Sequence, residues 1–294
     1  MSSENYKIVS MGEVLWDLFP DGACFGGAPA NFACHAALLG GHVSMLSAVG
    51  DDPRGHEAIA ILQGFGLDTS LIQKIADAPT GSVSVAVDAA GKPSFTIHSG
   101  SAWDRIAWTD ALESRIADID AIYFGTLGQR GARSKETIHR ALHLAKEHGV
   151  VRVLDVNLRK PYYDAALIRE SVGEADVLKL SDDELPEVAA ACGIALDTTP
   201  EVMLRGMLSR FHLNLIAMTR GAAGALLVST EEVIDQPGIP TRVVDTVGAG
   251  DAFTAALVLG LLQRNSHKDI LQKACEIASK ACSHSGAVPS PSNY

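Results

Sequence analysis

The stretch "DTVGAGDAF", Asp245 to Phe253, sets two opposed requirements side by side. Gly248, Ala249 and Gly250 carry little or no side chain, so their N–H groups can face a ligand directly. The apolar run "AFTAALVLGLL" that follows predicts a helix, whose N-terminus adds unpaired donors and a partial positive charge. These features favour a bound anion, yet Asp251 stands where it would repel one. Two readings account for the acid. In the first it complements the helix dipole and the glycines only make a tight turn. In the second it accepts a proton from an alcohol attacking a bound phosphate, so anion hole and base belong together. A P-loop is excluded, because Lys-Ser/Thr should follow its last glycine and Asp251–Ala252 stands there. A dinucleotide fingerprint belongs in an early βαβ unit, whereas only 44 residues follow Gly250.

Positioning such a loop requires a scaffold, and the chain spells one. Short apolar runs alternate with longer Ala/Leu-rich helical patterns. "YKIVSMGEV", "HVSMLSAVG", "AIYFGTLG", "VVRVLDVN", "ADVLKLS", "LNLIAMTRG" and "GALLVST" predict strands. "APANFACHAALLGG", "PRGHEAIAILQGFG", "SKETIHRALHLAKEHG" and "EVMLRGMLSRFH" predict helices, as do segments around 251–264 and 268–284. This alternation implies α/β architecture with a mostly parallel sheet covered on both faces. One region departs from the rhythm. Thr80 to Asp104 alternates with period two on each side of "DAAGKP", a hairpin signal with no helix attached. It is either a surface ribbon or a lid over the site.

Composition narrows the function. Of 294 residues, 47% are hydrophobic and 20% charged, enough for one large α/β domain or two small ones. The net charge of −11 comes with no Lys/Arg block, so a nucleic-acid partner is not expected. Five cysteines without a CxxC argue against a disulfide framework or zinc site and fit a reducing cytoplasm. "MSSENYKIVS" has no signal-peptide apolar core, and no apolar run is long enough to span a bilayer.

The same residues carry a resemblance. "DTVGAGDAFTAALVLGLL" resembles the C-terminal signature of the PfkB carbohydrate kinases, the ribokinase-like family. "MGEVLWDLFPDG" with "FGGAPANFACHAALLGG" resembles the N-terminal signature of its bacterial fructokinase branch. "GKPSFTIHSGSAWDRI", "YFGTLGQR", "DVNLRKPYY", "LKLSDDEL" and "TRGAAGALL" follow in the family's order, from Gly12 to Pro291. The resemblance implies a single three-layer α/β/α ribokinase-like domain over 1–294, with a small β lid from about 14–27 and 80–104. It implies ATP and magnesium as cofactors and leaves potassium open.

By that resemblance Asp251 is the base, and Gly248, Ala249 and Gly250 form the anion hole. Asp17 accepts from sugar hydroxyls or is a turn residue; Gly26 and Gly27 present bare backbone. Asn31 bonds the sugar or its own backbone. Arg159 contacts sugar or phosphate, or is a surface turn Arg. Phe95, Ile97 and Trp103 cover the sugar or form lid core. Lys179, Thr219, Gly221 and Gly224 line the nucleotide. Glu184 organises magnesium through water, although Ser181 replaces the Asn of the family's Asn-x-x-Glu pattern. Asp245, with "SHSGAVPS", resembles a monovalent-cation loop. The implied substrate is D-fructose, with partners limited to sugar and ATP, no membrane, and room for a homodimer through the lid. Rivals are a 2-keto-3-deoxygluconate kinase, a nucleoside kinase, an inactive sugar-binding regulator and a dinucleotide oxidoreductase. The keto-acid would call for more cationic partners than His98 and Arg105 provide.

Overall fold

The computed structural model describes residues 6–87 and 93–289. Most of the "DAAGKP" turn, the first five residues and the chain beyond Val288–Pro289 lie outside the described residues. Along the chain come β1 (Lys7–Met11), β2 (Leu15–Phe19), β3 (Gly22–Gly26), α1 (Ala28–Leu38), β4 (His42–Gly50), α2 (Pro53–Gly64) and β5 (Ile72–Ile75). Then follow β6 (Gly81–Val87), β7 (Pro93–Ile97), α3 (Asp110–Ile116), β8 (Ala121–Gly125), α4 (Ala132–Glu147), β9 (Val151–Asp155) and α5 (Ala165–Gly173). The last third holds β10 (Val177–Ser181), α6 (Leu185–Ala191), α7 (Pro200–Phe211), β11 (Leu215–Thr219), β12 (Ala225–Ser229), β13 (Val233–Gln236), α8 (Ala249–Leu262) and α9 (His267–Cys282).

Nine strands form one sheet in the order β13-β12-β11-β10-β9-β8-β1-β4-β5. All neighbours pair in parallel except at β12, which runs against both of its partners. The strands are buried on both sides, so successive residues enter different cores. Val9, Met11, Ile122, Phe124, Leu178 and Leu180 face one core, completed by α3 to α7. Ile8, Val43, Met45, Tyr123, Val153 and Val177 face the other, completed by α1, α2, α8 and α9. The result is the expected three-layer α/β/α fold. Helix α8 packs between α1 and α9, and every residue from Asp251 to Gly260 is buried. A helix buried all round needs the uniformly apolar sequence that "AFTAALVLGLL" supplies.

From β1 the chain moves outward to β4 and β5, then returns to β8 and continues the other way. The switch in direction falls between β1 and β8, where an open parallel sheet leaves a crevice at the carboxyl ends of its strands.

The second sheet has the order β3-β2-β6-β7, built from the two segments 14–27 and 80–104, and goes beyond the single hairpin that alternation spelled. The hairpin β6–β7 is present, but β6 also pairs in parallel with β2, and β2–β3 forms a second hairpin. Asp17 therefore does not sit in a turn past the first strand; it lies within β2. Its register neighbours are Cys24 and Val83, and Val83 in turn faces Ile97, while Val85 faces Phe95. Because side chains alternate along a strand, Asp17, Phe95 and Ile97 share one face.

Candidate active site

Helix α8 begins at Gly248, whose φ of 78° is left-handed. An ideal Cβ there would come 2.0 Å from the Ala287 carbonyl oxygen, so only glycine fits both the backbone and the space. The Ala249 N–H donates to the Thr246 carbonyl at 3.3 Å, and the next donors of the first turn, on Gly250 and Asp251, point out of the helix end. Asp251 follows within that turn, with only 8% of its surface exposed. Its Oδ2 accepts from Asn31 Nδ2 at 2.9 Å, across 220 positions of sequence. Asn31 Oδ1 is buried and has no protein partner, so it offers one acceptor to the site. Asn31 thus bonds the acid of α8, not its own helix start. Burial, with the nearby Asp155 charge, pushes the Asp251 carboxyl up to about 7, against Asn31, Lys179 and Arg159.

Asp155 ends β9 and is 1% exposed. Lys179, on the neighbouring β10, places Nζ 3.0 Å from Asp155 Oδ2. Burial alone would depress the ammonium, but Asp155, Glu184 and Asp251 hold it above its ordinary value. Burial raises the Asp155 carboxyl and Lys179 opposes the rise. An ideal Cβ at Gly250 would lie 3.0 Å from Lys179 Nζ, which puts this cation directly beneath the anion loop. Thr254 Oγ1 lies 2.8 Å from the Gly250 carbonyl and 3.1 Å from Asp155 Oδ2, tying helix to strand end.

The other wall comes from the start of the chain. Gly27, with φ of 108°, lies so close to Glu13 that a Cβ would meet its carbonyl oxygen at 2.5 Å. The Gly26 position is 3.0 Å from Asp17 Oδ2 by the same measure. Burial raises the Asp17 carboxyl and Arg159 opposes it. Burial also pushes Glu13 up to about 7; its own N–H, Arg159 and the Ala28 N–H oppose the rise, and the Asp251 charge adds to it. Arg159 is exposed and acts on all three acids, Asp17, Glu13 and Asp251. On the face shared with Asp17, Phe95 is 63% exposed and Ile97 partly buried. Of the two roles open to Trp103 the structure takes the second: it is fully buried against Gly81 and serves packing, away from the face that Asp17 shares with Phe95 and Ile97.

On the far side of α8's start, Glu184 Oε1 accepts from the Leu158 N–H at 2.8 Å. Its Oε2 accepts from the Ser181 N–H and hydroxyl at 2.8 and 2.9 Å. Ser181 thus orients the acid, and the other carboxylate oxygen ties it to the loop that carries Arg159. Both oxygens already accept protein hydrogen bonds, which suits contact with a metal through water better than direct ligation. Among the described residues no group of three or more His, Cys, Asp or Glu could hold a metal ion. A magnesium ion that keeps its waters and sits on nucleotide phosphates needs no such group.

Thr219 ends β11, and Gly221, at φ 53°, opens a tight turn with empty space above its Cα. Gly224 differs: a Cβ there would come 2.0 Å from the Gln236 carbonyl, so its bare backbone serves the packing of the turn against the segment leaving β13. Asp245 Oδ1 accepts from the Val247 N–H and its Oδ2 from the Gly286 N–H, each at 3.0 Å, joining the loop before α8 to the C-terminal loop. Buried His35 of α1 places Nε2 2.9 Å from the Ala287 carbonyl, the same oxygen that packs on Gly248. Burial pushes its imidazole down to about 4, so it is neutral there and donates from Nε2.

A donor-lined helix start with a buried acid, facing a polar wall from the chain's beginning, is a phosphoryl-transfer geometry. Comparison with known proteins agrees: the sequence profile for the "pfkB family carbohydrate kinase" matches residues 23–293. The chain belongs to the pfkB family of carbohydrate kinases. A fructokinase of Klebsiella pneumoniae is 30% identical over 284 residues, covering 93% of this chain and 90% of that one. An aminoimidazole riboside kinase of Salmonella typhimurium is 29% identical over 88% of this chain and 82% of its own. The crystal structure of an uncharacterized sugar kinase from Pyrococcus horikoshii in complex with ATP superposes with a TM-score of 0.82 at 28% identity, covering 98% and 96% of the two chains.

The structure adds four residues to those singled out from sequence: Glu13, Tyr123, Asp155 and Thr254. Asp155 and Glu13 follow strands at their carboxyl ends, the place the sheet rule marks, and that signal could have found them. Tyr123 and Thr254 carry no such mark. Tyr123 stacks on Phe32 at 4.0 Å and keeps a buried, unpartnered hydroxyl that burial, with the charges of Asp155, Asp251 and Glu13, holds well above its ordinary value.

Proposed function

We propose that this carbohydrate kinase transfers the γ-phosphoryl group of ATP to D-fructose, as a member of the family's bacterial fructokinase branch. The observation that carries the reading is Asp251, buried at the first turn of α8, beside its outward N–H groups and bonded to Asn31. Asp17 accepts from sugar hydroxyls, Gly26 and Gly27 lay bare backbone against the ring, and Arg159 closes the side. Phe95 and Ile97 cover the apolar face, so the small sheet acts as a lid over one domain spanning 1–294. Closure excludes water and limits ATP hydrolysis.

Asp251 takes the proton of a primary hydroxyl as its oxygen attacks phosphorus. The N–H groups from Gly248 to Asp251, with Lys179 beneath, hold the charge of the moving group. Thr219 and Gly221 line the nucleotide. Bound magnesium supplies charge neutralisation on the phosphates. Glu184 would hold its water shell, and Asp245 would organise a potassium loop.

A neutral acceptor fits the lid better than a sugar acid. Of the two lid side chains that a carboxylate would call on, Arg105 is paired with Asp77 at 3.0 Å and His98 Nε2 lies 2.7 Å from the Ser84 hydroxyl, so both are already engaged. The test is a panel of sugars, sugar acids and nucleosides incubated with Mg-ATP while ADP release is followed. Fructose is expected to lead, with glucose, ribose and 2-keto-3-deoxygluconate well behind. A keto-acid or nucleoside leading the panel would overturn fructose and leave the family intact. Sugar binding without turnover would point to a regulator.

A further inference from the structure

The arm that returns from the lid to the body, residues 97–105, is held by two side chains to which the kinase reading gives no role. Arg130 lies in the turn between β8 and α4, with only 7% of its side chain exposed. Its Nε and Nη2 grip Asp104 Oδ1 and Oδ2 at 2.7 and 3.0 Å, and Nη2 also donates to the His98 carbonyl at 2.6 Å. The guanidinium lies 3.8 Å from the Trp103 ring centre and 4.8 Å from that of Tyr162. Tyr162 donates from its hydroxyl to the Ile97 carbonyl at 2.6 Å. Its own N–H donates to the Arg159 carbonyl at 2.8 Å.

Two consecutive carbonyls at the end of β7 are thus taken by two residues of the body. β7 is an edge strand of the small sheet, so its outer backbone groups have no strand to pair with. Tyr162 fills that edge from the same tight turn that carries Arg159. The connection runs from Arg159 through the Tyr162 backbone and phenol to Ile97, and from there along β7 to Phe95. The Arg130 fork then fixes the next carbonyl and the following turn, a task that needs planar multiple donors and a stackable face.

We infer that Arg130 and Tyr162 are positioning residues of the sugar site, a guanidinium–phenol latch that sets lid strand β7 in register with the Arg159 loop. Neither need touch the sugar. The inference rests on the reading of the small sheet as a lid over the acceptor, and it names what holds the lid's returning arm.

Tyr162→Phe and Arg130→Lys test it. Fructose KM, ATP KM, the ratio of ADP to fructose phosphate formed, melting temperature and hydrogen exchange across 93–104 are measured in the full chain. Tyr162→Phe loses one hydrogen bond, so fructose KM should rise about three- to tenfold, while ATP KM moves less than about twofold. The ratio of ADP to fructose phosphate should exceed that of the wild type, and exchange across 93–104 should accelerate. Arg130→Lys should do the same more strongly. Unchanged fructose KM with unchanged exchange overturns the latch. So does a parallel rise of both KM values with a fall in melting temperature, which marks a merely structural role. If the wild-type protein does not phosphorylate fructose, the acceptor reading fails on its own and the exchange measurement still decides the latch. If Arg130→Lys does not fold, Tyr162→Phe, which removes a single oxygen, decides it.

Discussion

Asp251 is held where its proton is hard to lose, yet a base works only without it. The carboxylate fraction falls as pH drops through about 7, the value to which burial and Asp155 push it. The rate constant kcat/KM should therefore fall about tenfold per pH unit below that point. Glu13 titrates in the same window and feels Asp251, so the acidic limb belongs to the pair. Asp251→Asn should lower turnover about 10²–10⁴-fold, flatten the limb and leave ATP affinity intact or slightly tighter. Stability should move the other way. The ordinary value is 3.8, so between there and about 7 the unfolded chain has released a proton that the folded chain keeps. Stability falls as pH rises across that window. Asp251→Asn removes this loss, so it should melt above wild type at pH 8, with the gap closing toward pH 5. A mere helix cap predicts near-normal turnover and a cost of a few tenths of a kcal/mol. Kinetics and melting curves on this one variant separate the accounts.

At the scale of elements, the positions of glycines show which turns are fixed by space and which by conformation alone. Gly248→Ala must push against the Ala287 carbonyl that His35 also holds, and it must adopt a φ that alanine disfavours. It should move the start of α8, cost several degrees of melting temperature and lower kcat at least about tenfold. Gly221→Ala meets no protein atom within 4 Å and should cost only about 1 kcal/mol of stability, with its kinetic cost falling on ATP KM. Equal losses in the two variants would mean that the α8 turn is not specially constrained. The same scale shows what the sequence disclosed. β4 matched its predicted run from His42 to Gly50, and α8 was legible because its apolar pattern is continuous. β2 and β3 were read only as part of a lid segment, because "LWDLFPDG" is short and turn-rich. β5, β13, α3, α5 and α6 are too short to display a period. Asp251 and Gly248 were legible from local pattern. The Asn31–Asp251 bond and the Lys179–Asp155 pair were not, since each joins segments that only the fold brings together.

The whole molecule closes this site from stretches far apart in sequence, among them residues 13–31, 155–184 and 245–287. Asn31 meets Asp251, Lys179 meets Gly250 beneath the loop, and Asp245 joins Gly286. A ligand that binds this arrangement must stabilise the folded chain as a unit, because no single stretch holds the site alone. At a hundredfold excess over its Kd, one ligand adds about 2.7 kcal/mol. For 294 residues, an unfolding entropy of roughly 2.1 cal/mol/K per residue converts this into an upward shift of about 4 °C. Fructose should produce that shift in a single transition with body and lid melting together. Ribose or 2-keto-3-deoxygluconate at the same concentration should leave the curve in place. In Asp17→Ala the fructose shift should largely vanish while the Mg-ATP shift remains, since Asp17 lies on the small sheet and the nucleotide residues lie on the far side of α8. Loss of both shifts together would mean that Asp17 supports the fold and not the sugar. A fructose shift that survives Asp17→Ala would mean that the acceptor is held by the body alone, without the four-stranded sheet above it.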